Sequence, residues 1–292
     1  MPLNYLTLIR LPQWIKNLFV FVPLLFSQHL FDKVYFFTTL LAFITFCIAS
    51  SLVYIINDMI DIDADRAHPV KMNRPLPSGK VSSKGAAATA IIFSIVMFAI
   101  LSQFNILFIY FVSAFLFLNV LYSFWFKHIV ILDVFSIAAG FAIRVLGGAV
   151  VISVPISSWL LLTTMFISLF LGVMKRHSEL TLLAENENTP TRKVLSQYSL
   201  NFADQMATVA AAGVIVCYAL YTVSERTVSV FGTEKLIYTT PFVVYGIFRF
   251  MYLEYISNKG ENTTKIVFSD IQIILTVIAY TVTTILIIYK II

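Results

Sequence analysis

Apolar residues occur along this chain in long runs that are separated by polar segments. Most runs are about 18–22 residues long, enough for a helix to cross a hydrocarbon core ~30 Å thick. No strand-type alternation of apolar and polar residues competes with them. The pattern predicts an all-α membrane protein with nine transmembrane helices, at about residues 17–31, 34–57, 86–103, 105–124, 130–151, 157–174, 204–223, 236–254 and 270–289.

Lysine and arginine are divided unevenly between the two ends of these spans. If the N-terminus is cytoplasmic, fourteen of them lie on the cytoplasmic side, four lie outside, and Arg144 and Arg249 fall within spans. An excess of basic residues marks the cytoplasmic side. The long polar loops, 58–85, 175–203 and 255–269, are then cytoplasmic. We therefore predict a multi-pass protein of the cell inner (cytoplasmic) membrane whose active site faces the cytoplasm.

The arrangement of spans also repeats at low resolution. The second span runs into the charged stretch Asn57–Gly79, and the sixth, four spans later, runs into the charged sequence 171–180. Two four-helix halves with charged ends on the same side would surround one central cavity. We predict a single integral-membrane domain, residues 1–292. In it, spans 1–4 and 5–8 form a quasi-repeat around a cavity open to the cytoplasmic side, and a ninth helix packs outside.

Composition supports the membrane assignment and excludes other classes. The chain is 59% hydrophobic and 12% charged, with a mean hydropathy of +0.89. The net charge of +5 comes from basic residues dispersed among loops, so we expect no nucleic-acid partner. Cys47 and Cys217 lie in apolar segments and form neither a disulfide framework nor a metal-ligand spacing. The apolar helix faces are compatible with a homo-oligomer, because such faces can pack against lipid or against another subunit.

The stretch Asn57–Gly79 concentrates carboxylates, a histidine and basic residues in an otherwise apolar chain. If its first part is helical, four oxygen-bearing side chains share one face: Asn57, Asp58, Asp61 and Asp65. The negative charges repel one another, and a cation bound among them would relieve this repulsion. Clustered oxygen ligands suit Mg²⁺, which also binds the oxygens of a phosphate substrate. Cations that can pair with phosphate follow: Lys71, Arg74 and Lys80. The alternative is a solvated loop of mixed charge.

Arg144 lies inside a predicted span, where a charged side chain costs a few kcal/mol and needs a cavity or a partner. It shares a helix face with Asp133, Gly140 and Gly147. Asp133 is ~16 Å away along the helix, so the two cannot pair. We expect Arg144 to face a phosphate. The alternative is a structural role, with bonds to buried carbonyls or to a carboxylate on another helix.

Lys175 and Arg176 give the end of the sixth span a cationic character. Lys175 and Glu179 are four residues apart and could form a simple surface pair. The alternative is that this helix end binds a phosphate group.

Several motifs along the chain resemble those of a known family. The sequence N-D-M-I-D-I-D-A-D-R resembles the first Asp-rich motif of the UbiA-type superfamily of intramembrane prenyltransferases, and R-L-P-Q-W-I-K-N (10–17) is similar to its N-terminal signature. The longer run from residue 63 to Gly79 looks specifically like the decaprenyl-phosphate phosphoribosyltransferase branch. So do 122–134 and 169–180. The superfamily has nine helices around a central cavity, and the resemblance covers the whole chain.

One departure from the sequence pattern of the wider superfamily distinguishes between the reactions that its members catalyse. Ordinary prenyltransferases are expected to carry a second Asp-rich motif at the end of the sixth helix, which with the first holds Mg²⁺ on a prenyl diphosphate. Here that position reads K-R-H-S-E, with no Asp. A cationic helix end cannot gather Mg²⁺ through carboxylates but can bind a phosphate monoester directly.

The resemblance thus implies Mg²⁺-dependent transfer of 5-phosphoribose from phosphoribosyl diphosphate to a polyprenyl phosphate, with release of diphosphate. The expected catalytic residues are Asp58, Asp61 and Asp65. The same carboxylates, with Asn57, would hold the metal on the donor. The expected donor-binding cations are Lys16, Lys71, Arg74 and Lys127. The expected cations for the acceptor phosphate are Arg144, Lys175 and Arg176.

Two other functions remain open at this point. A conventional UbiA-type prenyltransferase would move a prenyl chain to an aromatic acceptor, a quinone or haem precursor, and would want acidic residues at 172–179. A transporter or cation channel would spread its carboxylates along a pore. The clustering of carboxylates at one helix end, beside cations, disfavours transport.

Overall fold

The structure is a computed structural model that describes residues 2–66, 71–185, 193–256 and 269–291. Over these ranges the chain forms helices and no strands, which confirms the predicted all-α membrane fold class. Parts of the three long polar loops, among them His68, lie outside the described residues.

The α-helices of the described ranges are α1 (Pro2–Leu8), α2 (Val22–Leu25), α3 (Lys33–Ile60), α4 (Ile62–Arg66), α5 (Ser83–Leu101), α6 (Ile106–Phe124), α7 (Leu132–Val151), α8 (Ser158–Glu185), α9 (Leu200–Val223), α10 (Glu225–Phe231), α11 (Thr240–Tyr255) and α12 (Ile271–Ile288). They are joined by 3₁₀ helices at Leu11–Phe21, Lys71–Asn73, Phe126–His128, Lys193–Gln197 and Lys235–Thr239.

Within the described ranges, eight helical segments are long and apolar enough to cross a membrane. They correspond to α3, α5 to α9, α11 with its preceding 3₁₀ helix, and α12. The predicted count of nine is not confirmed, because the first apolar run forms the 3₁₀ helix Leu11–Phe21 followed by the short α2. Pro12 and Pro23 lie at the starts of these two pieces. Proline lacks a backbone N–H and therefore interrupts a continuous α-helix.

The 3₁₀ helix Leu11–Phe21 nevertheless packs along α3. The Trp14 indole donates a hydrogen bond to the Ser51 hydroxyl at 3.0 Å. One turn further on, the Asn17 amide donates to the Cys47 sulfur at 3.3 Å. These contacts move back along α3 as the segment advances, so the two run antiparallel. A 3₁₀ helix rises ~2.0 Å per residue and so covers more distance than an α-helix of the same length.

The chain divides into two compact units. The first comprises Met1–Phe126 and Ile143–Pro155, and the second comprises Lys127–Ala142 and Ile156–Ile292. The quasi-repeat of spans 1–4 and 5–8 stays a prediction.

The core of the first unit forms where the 3₁₀ helix Leu11–Phe21, α3, α6 and the second half of α7 meet. Val20, Phe46 and Phe108 are fully buried there. A Cβ atom at Gly148 would lie 2.1 Å from the Val20 carbonyl oxygen. Glycine at this position therefore permits the backbone of α7 to touch the backbone of the 3₁₀ helix.

The core of the second unit joins α8, α9 and α11 with the start of α7. On α9, Ala203, Ala207 and Ala210 recur at helical spacing and are buried. Small residues on one face let neighbouring helices approach closely. Helix α8 continues to Glu185, well past the end of its apolar run at about residue 174, so the charged residues 175–179 lie on a helix.

Candidate active site

Two buried carboxylates form the centre of the candidate site in the first unit. Asp58, near the end of α3, is 3% exposed, and Asp65, in α4, is 2% exposed. The Asp-rich motif is helical but not one continuous helix, because α3 ends at Ile60 and Asp61 caps it before α4 begins. The break separates the motif into two buried carboxylates and an exposed Asp61.

Arg74 connects the two buried carboxylates. Its Nη1 lies 3.2 Å from Asp58 Oδ1 and 2.6 Å from Asp65 Oδ2. Lys71 Nζ lies 3.6 Å from Asp65 Oδ1. Both cations are provided by the short 3₁₀ helix Lys71–Asn73 and the residue after it. The structure therefore brings together four predicted site residues, with alternating charges that offset the cost of burial.

Arg10 is a member of this cluster that the sequence analysis missed. Its Nη2 donates to Asp58 Oδ1 at 2.6 Å, and its guanidinium lies 4.3 Å from the centre of the Tyr54 ring. Its backbone adopts a left-handed conformation, with φ 53°, between α1 and the 3₁₀ helix Leu11–Phe21. The sequence signal was the unbalanced negative charge of the Asp-rich motif together with a basic residue on the same predicted side of the membrane.

The remaining residues of the Asp-rich motif have different surroundings. The Asn57 side-chain amide donates to the Ser123 hydroxyl of α6 at 3.0 Å, which fixes the orientation of the amide group. Asp61 is exposed at the end of α3. Of the four predicted metal ligands, Asp58 and Asp65 are therefore the two that pair with Arg74.

The side-chain oxygens of this cluster are of the chemical type that binds a magnesium ion. Carboxylate and amide oxygens are the hard ligands that Mg²⁺ prefers. Among the residues that the structure describes, no group of three or more Asp, Glu, His or Cys side chains is already placed around a common metal position. An ion bound by Asp58 and Asp65 would therefore compete with the guanidinium of Arg74 for the same oxygens.

Arg144 is buried in α7 and bonds to a partner that the sequence did not indicate. Its Nε donates to the Asn17 side-chain oxygen at 2.6 Å, and its guanidinium lies 4.6 Å from the centre of the Phe115 ring. Lys16, adjacent in the 3₁₀ helix, is half-buried.

In the second unit, the predicted cations lie on α8 and on a short turn. Arg176 is 1% exposed, and its Nε donates to Asp133 Oδ2 at 2.7 Å. Its Nη1 donates to Glu179. Lys175, one residue earlier, has a side chain that is 47% exposed. Lys127 is half-buried in the 3₁₀ helix Phe126–His128.

The sequence resembles those of known proteins. A model of the UbiA prenyltransferase family matches residues 18–255. The chain is 34% identical over 221 residues to a decaprenyl-phosphate phosphoribosyltransferase of Mycolicibacterium smegmatis, covering 74% of this chain and 69% of the relative. A protein of the same name from Corynebacterium glutamicum is 31% identical over 217 residues, covering 73% of this chain and 65% of the relative.

The fold also resembles that of solved structures. A UbiA homolog from Archaeoglobus fulgidus, bound to DMAPP and Mg²⁺, superposes with a TM-score of 0.70. The alignment covers 98% of this chain and 99% of the homolog, at 16% sequence identity. At that identity the likeness concerns the fold.

Proposed function

Because the chain belongs to the UbiA prenyltransferase family and is an integral-membrane transferase, we propose that it transfers 5-phosphoribose from phosphoribosyl diphosphate to a polyprenyl phosphate and releases diphosphate. The observation that carries the proposal is the cationic end of α8, Lys175-Arg176, at the position where a prenyltransferase is expected to hold a second Asp-rich motif. The names of the relatives from Mycolicibacterium and Corynebacterium support the same substrates.

We assign the donor to the cluster around Asp58 and Asp65. The residues that would hold Mg²⁺ are Asn57, Asp58, Asp61 and Asp65. A bound Mg²⁺ would neutralise charge that develops on the departing diphosphate. Arg74 and Lys71 would exchange their carboxylate partners for donor oxygens, because the metal competes for the same carboxylates. Lys16 and Lys127 complete the proposed donor-binding cations.

We assign the acceptor phosphate to the cations Arg144, Lys175 and Arg176. Loss of diphosphate from the anomeric carbon gives an oxocarbenium-like transition state. The attacking oxygen belongs to a phosphate that is already anionic near neutral pH, so the chain needs no strong general base. Positioning of the two substrates then provides most of the rate acceleration. The surplus of basic residues supports the proposal that this chemistry occurs on the cytoplasmic side of the inner membrane.

The test uses purified protein, labelled phosphoribosyl diphosphate, Mg²⁺ and polyprenyl phosphate. We expect a labelled lipid that disappears when Mg²⁺ is chelated. Asp61→Asn should reduce turnover ~100-fold or more, since it removes a predicted ligand. Asp63→Asn is the matched control, because Asp63 is two residues away, exposed and paired with Arg66 on the surface of α4. It should retain activity.

The proposal fails if no labelled lipid forms while prenyl diphosphate and an aromatic acceptor react. That outcome would indicate the conventional prenyltransferase. Altered ion flux in Asp61→Asn, with no covalent product in the wild-type protein, would indicate a transporter.

A further inference from the structure

Lys175 and Arg176 are adjacent in sequence but have opposite surroundings. Arg176 is buried between two carboxylates, with Nε on Asp133 and Nη1 on Glu179. Lys175 is half-exposed, and its Nζ lies 4.0 Å from the other Glu179 oxygen, Oε1. Glu179 therefore lies between the two cations and touches Arg176 much more closely than Lys175.

Asp133, the other partner of Arg176, is itself fixed in place. The Tyr198 hydroxyl donates to Asp133 Oδ1 at 2.7 Å and accepts the backbone N–H of Ile131 at 2.7 Å. Ile131 has φ 70°, a left-handed conformation that a β-branched side chain disfavours, so this hydrogen bond helps to hold the turn before α7. Burial, and then the bond to Asp133, raise the pKa of Tyr198, which keeps the hydroxyl protonated as a donor.

The contacts connect four side chains of alternating charge, Asp133, Arg176, Glu179 and Lys175, and the neutral Tyr198 hydroxyl holds the Asp133 end. Moving Arg176 toward a ligand would leave the fully buried Asp133 without its countercharge, which is unfavourable. The Lys175 side chain is 47% exposed, so water can replace its long contact with Glu179 when it moves toward a ligand, and contacts of that kind contribute little.

We infer that Lys175 is the cation of this pair that contacts the acceptor phosphate, and that Arg176 is a positioning residue, held by Asp133, that retains Glu179 when the phosphate displaces it from Lys175. Glu179 then acts as a resident anion, and the incoming phosphate takes its place on the Lys175 ammonium. The inference rests on the proposed function and specifies which of its cations touches the lipid phosphate.

The test measures the KM for a polyprenyl phosphate and its equilibrium binding to the purified protein without donor. Lys175→Gln should raise both constants ~10- to 100-fold, since a charge-assisted bond to phosphate is lost, with a smaller change in kcat. Glu179→Gln should lower both ~2- to 5-fold, because it removes the competing anion. In the double variant Lys175→Gln/Glu179→Gln, the Glu179 substitution should have no further effect. A purely structural Glu179 would not tighten binding when it is replaced.

Tyr198→Phe tests the positioning role. It removes the hydroxyl that holds Asp133, which loosens the hold of Arg176 on Glu179 and lets Glu179 compete with the phosphate for Lys175. The KM for the lipid should therefore rise ~3-fold or more, but only while Lys175 is present. A general loss of folding would lower activity equally in the Lys175→Gln background. The polyprenol without phosphate serves as the ligand control, and its binding should be the same for all variants.

The inference is overturned if Lys175→Gln binds polyprenyl phosphate as tightly as the wild-type protein, or if Glu179→Gln binds it more weakly. Lys175→Gln does not disturb the Asp133–Arg176 pair, so it carries the test even where Glu179→Gln fails to fold. If the wild-type protein forms no labelled lipid from phosphoribosyl diphosphate but binds polyprenyl phosphate through Lys175, the proposed function fails and the binding assignment stands.

Discussion

Replacing Arg74 with alanine removes a guanidinium that contacts two buried carboxylates at once. Asp58 keeps Arg10 at 2.6 Å, whereas Asp65 keeps Lys71 at 3.6 Å. Removing one partner of a buried ion pair typically costs ~3–5 kcal/mol, because the remaining charge is left uncompensated. Arg74 is 32% exposed, so water can enter the vacated space and reduce the loss. We therefore expect a loss of about 2–3 kcal/mol.

The assay is thermal unfolding of the detergent-solubilised protein. A loss of that size corresponds to a fall in Tm of roughly 4–12 °C. The double variant Asp65→Asn/Arg74→Ala should recover part of the fall, since it no longer buries an uncompensated charge. Arg66→Ala is the matched control, because Arg66 pairs with the exposed Asp63 at the surface and should contribute under about 1 kcal/mol.

An Arg74→Ala variant with the same Tm as Arg66→Ala would refute the predicted cost of an unpaired carboxylate. The prediction is equally refuted if the double variant is less stable than Arg74→Ala alone, because neutralising Asp65 would then have removed a favourable group instead of an unpaired charge.

Three further changes have defined outcomes. Asn17→Ala should destabilise the protein by about 1.5–3 kcal/mol in thermal unfolding, since the buried Arg144 loses a hydrogen bond of 2.6 Å. Gly148→Ala should lower the Tm even though alanine favours helices, because its Cβ would overlap a backbone oxygen. The hydrogen bond from Arg249 lowers the pKa of Asp270, so the stability that this pair contributes is present above about pH 4 and is lost as the pH falls through the lowered pKa. Melting curves recorded on acidification should show this loss in the wild-type protein and not in Asp270→Asn.

Each of these predictions has a matched comparison. Asn119→Ala removes an amide that bonds to a backbone carbonyl of its own helix, and equal losses for Asn17→Ala and Asn119→Ala would contradict the role of the Arg144 contact. Gly246→Ala adds a Cβ 4.0 Å from its nearest neighbour and should be tolerated; an equal fall in Tm for both glycine variants would contradict the close approach. Parallel acid curves for Asp270→Asn and the wild-type protein would contradict the ion pair.

Much of the fold and part of the candidate site could be predicted from the sequence. Apolar runs predicted the spanning helices because a helix satisfies its backbone hydrogen bonds internally, so the lipid environment requires little beyond local composition and length. The same logic failed for the first run, which belongs to a 3₁₀ helix and a short α-helix that each have a proline at their start. The Asp-rich motif was recognisable as a cluster because its members are close in sequence.

The sequence by itself determined which segments are helical, which end of each carries charge, and which residue types are available for chemistry. The tertiary structure decided the partners. Arg10 pairs with Asp58 across 48 residues, Arg176 with Asp133 across 43, and Arg144 with an amide 127 residues away. Local composition cannot specify such pairs, because a buried charge can be satisfied by any suitable group that helix packing brings within about 3 Å.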